Sequence, residues 1–236
     1  MRKIKSFFAY FTLTEKLLWC GSVVFISASF LIFDGKDYLK LFSSLLGVTS
    51  LIFCAKGNPF GQVLMILFST VYGMISLSFA YYGEMVTYLG MTLPMAVVAL
   101  CSWIKNPFKN KKSQVKVNKI KKKEVIFMFL LAAVVSVVLY FVLKAFNTAN
   151  LITSTLSVTT SFIAAYLTFR RSPFFALAYV VNDIVLIVLW IMATVTDFSY
   201  FSVIICFVVF LINDAYSFIN WRRMERLQKI EIELDE

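Results

Sequence analysis

The sequence predicts an all-α, polytopic membrane protein of eight transmembrane helices: two parallel three-helix repeats joined by one helix, plus an extra N-terminal helix. Three observations carry this. The 236 residues are 60% hydrophobic and only 15% charged, against roughly 45–50% and about 25% in soluble domains. Eight apolar stretches follow one another, each of the ~20 residues needed to cross about 30 Å of hydrocarbon. The basic residues then sort to one side of the membrane.

In chain order the stretches run Glu15 to Phe33, Tyr38 to Ala55, Gln62 to Tyr82, Met85 to Ile104, Val125 to Ala145, Asn150 to Phe169, Pro173 to Ala193 and Tyr200 to Asn220. Thr12 and Glu15 have the spacing of a capping box, which favours a helix at the start of the first. Arg2, Lys3 and Lys5 ahead of an apolar run with small residues at Ser27 to Ser29 also suit a cleaved signal peptide, but the helix is preferred. Asn58-Pro59 opens the third stretch and Ser172-Pro173 the seventh, each an N-cap residue followed by proline at the first helical position.

With the amino terminus inside, inner segments hold 20 of the 23 Lys and Arg residues. These are Arg2, Lys3, Lys5, Lys16, Lys56, the nine lysines from Lys105 to Lys123, Arg170, Arg171, Arg222, Arg223, Arg226 and Lys229. Only Lys36, Lys40 and Lys144 fall outside, and a seven- or nine-helix count would spoil the partition. A multi-pass protein of a bacterial inner or plasma membrane is expected, both termini cytoplasmic. The lysine-rich stretch Asn106 to Lys123 has no interleaved aromatic beyond Phe108 and a span on each side. It reads as a topology-setting inner loop over anionic lipid, and no nucleic-acid partner is expected. Glu231 to Glu236 reads as a solvated helix end or a disordered tail.

Histidine is absent, which removes His-based zinc sites, Ser-His-Asp and Cys-His pairs and imidazole proton relays. Cys20, Cys54, Cys101 and Cys206 are far apart in apolar runs and read as small packing residues, without a metal site or disulfide framework. No GxxxxGK[ST] loop is present, so ATP is not expected as the direct energy source. The chain is read as a non-enzyme with no catalytic residue, metal or cofactor.

The chain contains an internal duplication. Leu46-Gly47-Val48-Thr49-Ser50 resembles Leu156-Ser157-Val158-Thr159-Thr160, the two Pro-initiated stretches correspond, and Ser102-Trp103-Ile104-Lys105 closes the fourth stretch as Asn220-Trp221-Arg222-Arg223 closes the eighth. Corresponding stretches are four crossings apart, so both triplets face the same way. Parallel repeats of this kind place a substrate site between the units near mid-membrane. The expected divisions are 1–37 for a peripheral helix, 38–105 for the first triplet, 106–149 for the basic loop and linker helix, 150–223 for the second triplet and 224–236 for the tail. All eight glycines occur by residue 90, so the second triplet must obtain close helix contact from Ala and Ser, for example Ala164, Ala165, Ala176 and Ala178.

Of thirteen acidic residues, only Asp183 and Asp214 lie well inside a stretch. A charge there costs at least about 2.5–3.5 kcal/mol on insertion scales and should face a cavity or a partner. Asp183 falls near the midplane. Asp214 lies nearer the inner end, placed to pair with Arg222 or Arg223. Tyr179, Asp183, Leu186 and Trp190 share one helical face, and Phe210, Asn213, Tyr216 and Asn220 form a second aromatic and amide stripe. Such walls suit a flat, polar-edged molecule. Aromatics stack on its ring and attract a cation, while Asn182, Asp183 and Asn213 bind hydroxyls. The same groups also serve simply to bond neighbouring helices. Trp103 and Trp221, beside Lys or Arg at segment ends, read as interface anchors.

From about residue 41 to 223 the chain resembles the PnuC-type transporters, the Pnu family. The resemblance rests on Asn58 with Gly61, Val71-Tyr72-Gly73, Tyr82-Gly83-Glu84, Leu93-Pro94-Met95 and Phe210-Leu211-Ile212-Asn213-Asp214-Ala215-Tyr216 through Asn220-Trp221. It implies a three-plus-one-plus-three helix fold with an occasional extra N-terminal helix. It also implies facilitated diffusion of nicotinamide riboside or a related vitamin or nucleoside, trapped inside by phosphorylation. The expected partners are then a small-molecule substrate, the bilayer and, indirectly, a cytoplasmic kinase, with homo-oligomerisation left open. The family's Trp-x-x-Trp-x-x-x-Asn/Asp pattern falls here on Ala176, Tyr179 and Asp183, so both tryptophans are missing, and a glutamine that often follows the Pro-Met pair is Ala96. Nicotinamide riboside is the default substrate, with a deoxynucleoside or thiamine as alternatives and a non-transporting scaffold or sensor as a different class. The candidate substrate-binding residues are Tyr179, Asn182, Asp183, Trp190, Asn213, Tyr216 and Tyr72.

Overall fold

A computed structural model describes residues 10–78, 82–109 and 111–235. Arg2, Lys3 and Lys5, which enter the charge partition, lie outside the described residues, as does Glu236 of the acidic tail. Among the described residues, eight helices are long and apolar enough to cross a membrane. We number them α1 (Leu13–Phe33), α2 (Tyr38–Ala55), α3 (Phe60–Ser78), α4 (Tyr82–Lys105), α5 (Lys122–Ala145), α6 (Leu151–Phe169), α7 (Phe174–Thr194) and α8 (Phe201–Glu233).

Local chemistry explains most of the ends. At α1 the Thr12 hydroxyl accepts from the Glu15 N–H and the Glu15 carboxylate from the Thr12 N–H, the capping box expected from the spacing. Asn58 Oδ1 accepts from the Phe60 N–H at 3.0 Å and Ser172 Oγ from the Phe174 N–H at 3.4 Å. The turns before these starts are built alike. Gly57 and Arg171 both take positive φ, 65° and 55°. Asn58 N–H bonds Phe53 O as Ser172 N–H bonds Leu167 O, each closing the preceding helix with a left-handed cap.

α4 is not a uniform helix. Tyr82–Met85 is α-helical, Val86–Thr92 is a π-helix and Leu93–Lys105 returns to α. Pro94 has no N–H to give to Gly90, which removes one α-type bond at the junction, and the Leu93 N–H reaches Tyr88 O, five residues back. α8 runs 33 residues, about 50 Å, well beyond the predicted end at Asn220 and longer than the hydrocarbon layer.

The lysine-rich segment forms a small antiparallel hairpin, β1 (Pro107–Phe108) with β2 (Lys111–Val115), that the sequence reading did not anticipate. Its backbone is bound to the bundle. Val115 N–H donates to Gly57 O at 2.9 Å and Asn118 N–H to Arg171 O at 3.0 Å, so the segment ties together the α2–α3 and α6–α7 turns. Gln228 of α8 accepts from Val117 N–H and donates to Val115 O. Lys111, Lys112, Lys116, Lys119 and Lys121 remain exposed. Beyond it, the acidic end of α8 is helical through Glu233, with Glu231 and Asp235 both against Lys109.

α1 packs on α2 and α8 at the periphery. Its buried Glu15 binds Lys56 at 2.9 Å and accepts from Tyr216 OH at 3.2 Å, which joins it to both neighbours. α5 packs mainly on α6 and leaves Ile126, Phe127, Leu130, Val134, Val138 and Phe141 exposed, the surface expected to meet lipid. Ala164 and Ala176 are fully buried, the small-residue contact expected of the second triplet.

Trp103 and Trp221 are not interface anchors. Both are 0% exposed, because the end of α4 and the middle of the long α8 bring the two indoles together at the centre of the basic end of the bundle, where they pack with Cys54, Met128, Phe175 and Met224. Each N–H is satisfied by a helix-end carbonyl, as a buried indole requires.

Candidate functional site

A cavity of about 640 Å³ lies among α2–α4 and α6–α8, all six of which contribute to its wall. It extends to Asn147–Asn150 in the α5–α6 turn and to Thr196 after α7, at the end opposite the lysines. Toward the lysines it stops at the Trp103, Phe175 and Trp221 cluster, whose rings lie 4.9 to 6.5 Å apart.

Asp183 is the tenth residue of the 21-residue α7, at half its length. Its carboxyl faces that of Asp214 on α8, and the two groups are 3% and 2% exposed. The expected pairing of Asp214 with Arg222 or Arg223 does not form. Arg222 lies eight residues further on, about 12 Å along the helix, and binds Glu225 at 2.5 Å. Asp183 Oδ2 and Asp214 Oδ1 are buried without a hydrogen-bond partner among the described residues. Such orphaned acceptors in a cavity wall are available to a ligand's hydroxyl or cationic group.

Around these acids the wall is aromatic. Trp190 and Tyr200 lie 5.2 Å apart toward the end opposite the lysines. Phe68 and Tyr88 meet edge to face at 5.7 Å, with Tyr72 packed 4.5 Å behind Tyr88. Tyr179 lines the other end beside Phe175. Glu84 adds a third acid, with Ser76 Oγ 3.4 Å from its Oε2. Thr87, Tyr88 and Thr92 reach the cavity from the π segment of α4, and Glu84 from the short α-helical turn before it; the π turn rotates these side chains relative to the α-helix that follows. No Lys or Arg stands among the described lining residues.

Of the residues named from sequence, Tyr179, Asn182, Asp183 and Trp190 line this cavity together. Asn182 is held by Thr160 Oγ1, which donates to its Oδ1 at 2.8 Å. Asn213 and Tyr216 are not in the lining: Asn213 donates to Ser22 Oγ of α1 at 2.9 Å and to Val209 O, and Tyr216 bonds Glu15. Both stand on the face of α8 that holds the extra helix. Tyr72 lines a separate small space with Lys40 and Ser44 and supports the cavity through Tyr88. Glu84, Tyr88 and Tyr200 were not singled out. Glu84 falls in the gap between the third stretch, ending at Tyr82, and the fourth, starting at Met85, whereas the helix itself begins at Tyr82.

A cavity lined by acids and aromatics at the centre of an apolar eight-helix bundle, reaching the turns at one end, defines the class of protein: a membrane transporter for a small solute. The chain belongs to the nicotinamide mononucleotide transporter family, which it matches over residues 37–223. It is similar to the nicotinamide riboside transporter PnuC of Neisseria mucosa, 24% identical over 216 residues that cover 88% of this chain and 80% of that one. Its fold is similar to the crystal structure of the Vitamin B3 transporter PnuC, with a TM-score of 0.76 at 20% identity, covering 92% of this chain and 94% of that one.

Proposed function

We propose that this transporter mediates facilitated uptake of nicotinamide riboside or a close nucleoside-like vitamin precursor across the cell membrane, with both termini cytoplasmic. The observation that carries the reading is that Glu84, Asp183 and Asp214 line one cavity with Phe68, Tyr88, Tyr179, Trp190 and Tyr200, and that its described lining holds no basic side chain. A pyridinium riboside carries a cationic ring that aromatic faces and carboxylates favour, and hydroxyls that Asn182 and the free carboxylate oxygens accept from. A phosphate dianion would meet acids and no base, so the riboside is preferred to its mononucleotide.

Two features support parallel repeats around this site. Ser102 Oγ and Trp103 Nε1 donate to Phe169 O and Thr168 O; Asn220 Nδ2 and Trp221 Nε1 donate to Ala55 O and Cys54 O, each at 2.8 Å. The last helix of each triplet thus bonds the end of the first helix of the other, as a twofold axis along the membrane normal requires. The lysine-rich face is placed inside by the excess of basic residues. Intracellular phosphorylation of the substrate by a kinase would keep the gradient inward.

The test is uptake by proteoliposomes, with a thermal-shift panel of nicotinamide riboside, thiamine, riboflavin and deoxynucleosides on wild type and Asp183→Asn. The true substrate stabilises wild type by mass action. A larger shift with thiamine or a deoxynucleoside would reassign the substrate, and liposomes that pass none of them would favour a scaffold or sensor.

A further inference from the structure

A second cavity, of about 720 Å³, lies at the basic end of the bundle among α5, α6, α7, α8 and the segment 118–120, away from the transport site. Its walls are apolar: Val125, Met128, Phe129, Leu167, Leu177 and Val181. Its mouth carries Lys119, Arg222, Arg226 and Lys229 against a single acid, Glu225. Glu225 is engaged by Arg222 at 2.5 Å, and Lys229 lies 3.4 Å from Glu233. Among the described residues, neither Lys119 nor Arg226 has a carboxylate within ion-pair distance.

The shape of the groove separates its potential ligands. From Pro173 at the mouth to Val181 at depth is eight residues of α7, about 12 Å, most of one ~15 Å hydrocarbon leaflet. Phe129, Leu177 and Val181 are 55%, 41% and 48% exposed, so the slot is open sideways, toward acyl chains. A soluble anion would occupy the mouth and leave the slot empty. A molecule with a phosphate at headgroup level and a hydrocarbon chain below it fills both. Basic pockets between helices at the membrane surface have the chemistry to hold acidic headgroups.

We propose that this groove binds an anionic glycerophospholipid, one acyl chain lying along Val125, Phe129, Leu177 and Val181 and the headgroup phosphate among Lys119, Arg226 and Lys229. The ligand touches α5, α7 and α8 at once and joins the linker helix to the second triplet, whose own contact with α5 is made mainly through α6.

The purified full chain, taken from bilayers of equal phosphatidylglycerol and phosphatidylcholine, tests this by native mass spectrometry. Wild type is expected to retain phosphatidylglycerol about tenfold over phosphatidylcholine, a comparison that needs no variant to fold. Lys119→Gln, Arg226→Gln and Lys229→Gln together remove that preference, a fall of about tenfold in phosphatidylglycerol retention to the level of phosphatidylcholine. Val181→Trp fills the slot, keeps the charges and lowers retention of both lipids. Inorganic phosphate at matched concentration gives no thermal stabilisation. The proposal is overturned by equal retention of the two lipids, by phosphatidylglycerol retention unchanged in both variants, by stabilisation from phosphate equal to that from lipid, or by a homo-oligomer that buries the groove and excludes lipid.

Discussion

Trp103 and Trp221 pack ring against ring, 5.4 Å between centroids, while their N–H groups point to different helices: that of Trp103 to Thr168 O, that of Trp221 to Cys54 O. This pair closes the bundle between the central cavity and the lysine-rich face. It bonds α4 to α6 and α8 to α2 at this end, so any movement that opens it must break or carry these bonds together.

Trp221→Phe removes the indole donor to Cys54 O, which still accepts from Gly57 N–H at 2.9 Å, as Thr168 O still accepts from Arg171 N–H at 3.0 Å. Loss of one such hydrogen bond costs about 0.5–1.5 kcal/mol, and Trp103→Phe is expected to cost a similar amount. Because the rings touch, the double variant should depart from additivity. Thermal unfolding of the three variants in detergent measures this, and unequal single losses would show that the two ends are not equivalent.

Asp183→Asn and Asp214→Asn each leave a side chain able to donate to the remaining carboxyl, so both variants are expected to fold. Affinity for a cationic riboside should fall about tenfold, ~1.4 kcal/mol, while an analogue with an uncharged ring is little affected. Calorimetric titration with the two ligands distinguishes charge from shape. Equal losses for both would assign the acids to hydroxyl recognition alone.

The Glu15–Lys56 pair predicts an asymmetry. Glu15 is 2% exposed and Lys56 is 17% exposed at the membrane surface. Lys56→Met strands a buried carboxylate and should destabilise by about 3 kcal/mol, whereas Glu15→Gln leaves a lysine that can extend to water and should cost clearly less. Unfolding midpoints of the two variants decide it, with proteolysis of α1 as a local readout.

Pro94→Ala restores the N–H that an α-type bond to Gly90 needs. The π segment is then expected to tighten, turning Tyr88, Thr87 and Glu84 out of register with the cavity. Uptake should fall severalfold while the unfolding temperature holds or rises. Unaltered uptake would mean that the irregular turn does not set the site.

Much of this was legible because it follows from periodicity and solvent. Apolar length located all eight spans, Thr12 and Glu15 marked the first cap, and an aspartate at half-depth had to face something polar. Four of the seven residues named for the site do line one cavity. Asn213 and Tyr216 stand outside that cavity, since the polar stripe of α8 is shared between two neighbours. α1 bonds to Asn213 and Tyr216, and α7 faces Asp214. A stripe reveals that a helix has a polar face but not which helix meets it. Trp103 and Trp221 were misplaced for a related reason: flanking Lys and Arg put them at interface depth, but depth does not distinguish the rim of a bundle from its axis.

The sequence alone determined what the chain must do with a bilayer: how many times it crosses, which end gathers the cations and which polar groups cannot face lipid, because these depend on transfer energies that each residue carries with it. Only the tertiary structure decided that Asp183 meets Asp214, that Glu84 lines the same cavity and that two tryptophans close one end. Those contacts join residues distant in the chain, and their geometry comes from helix packing rather than from any local preference.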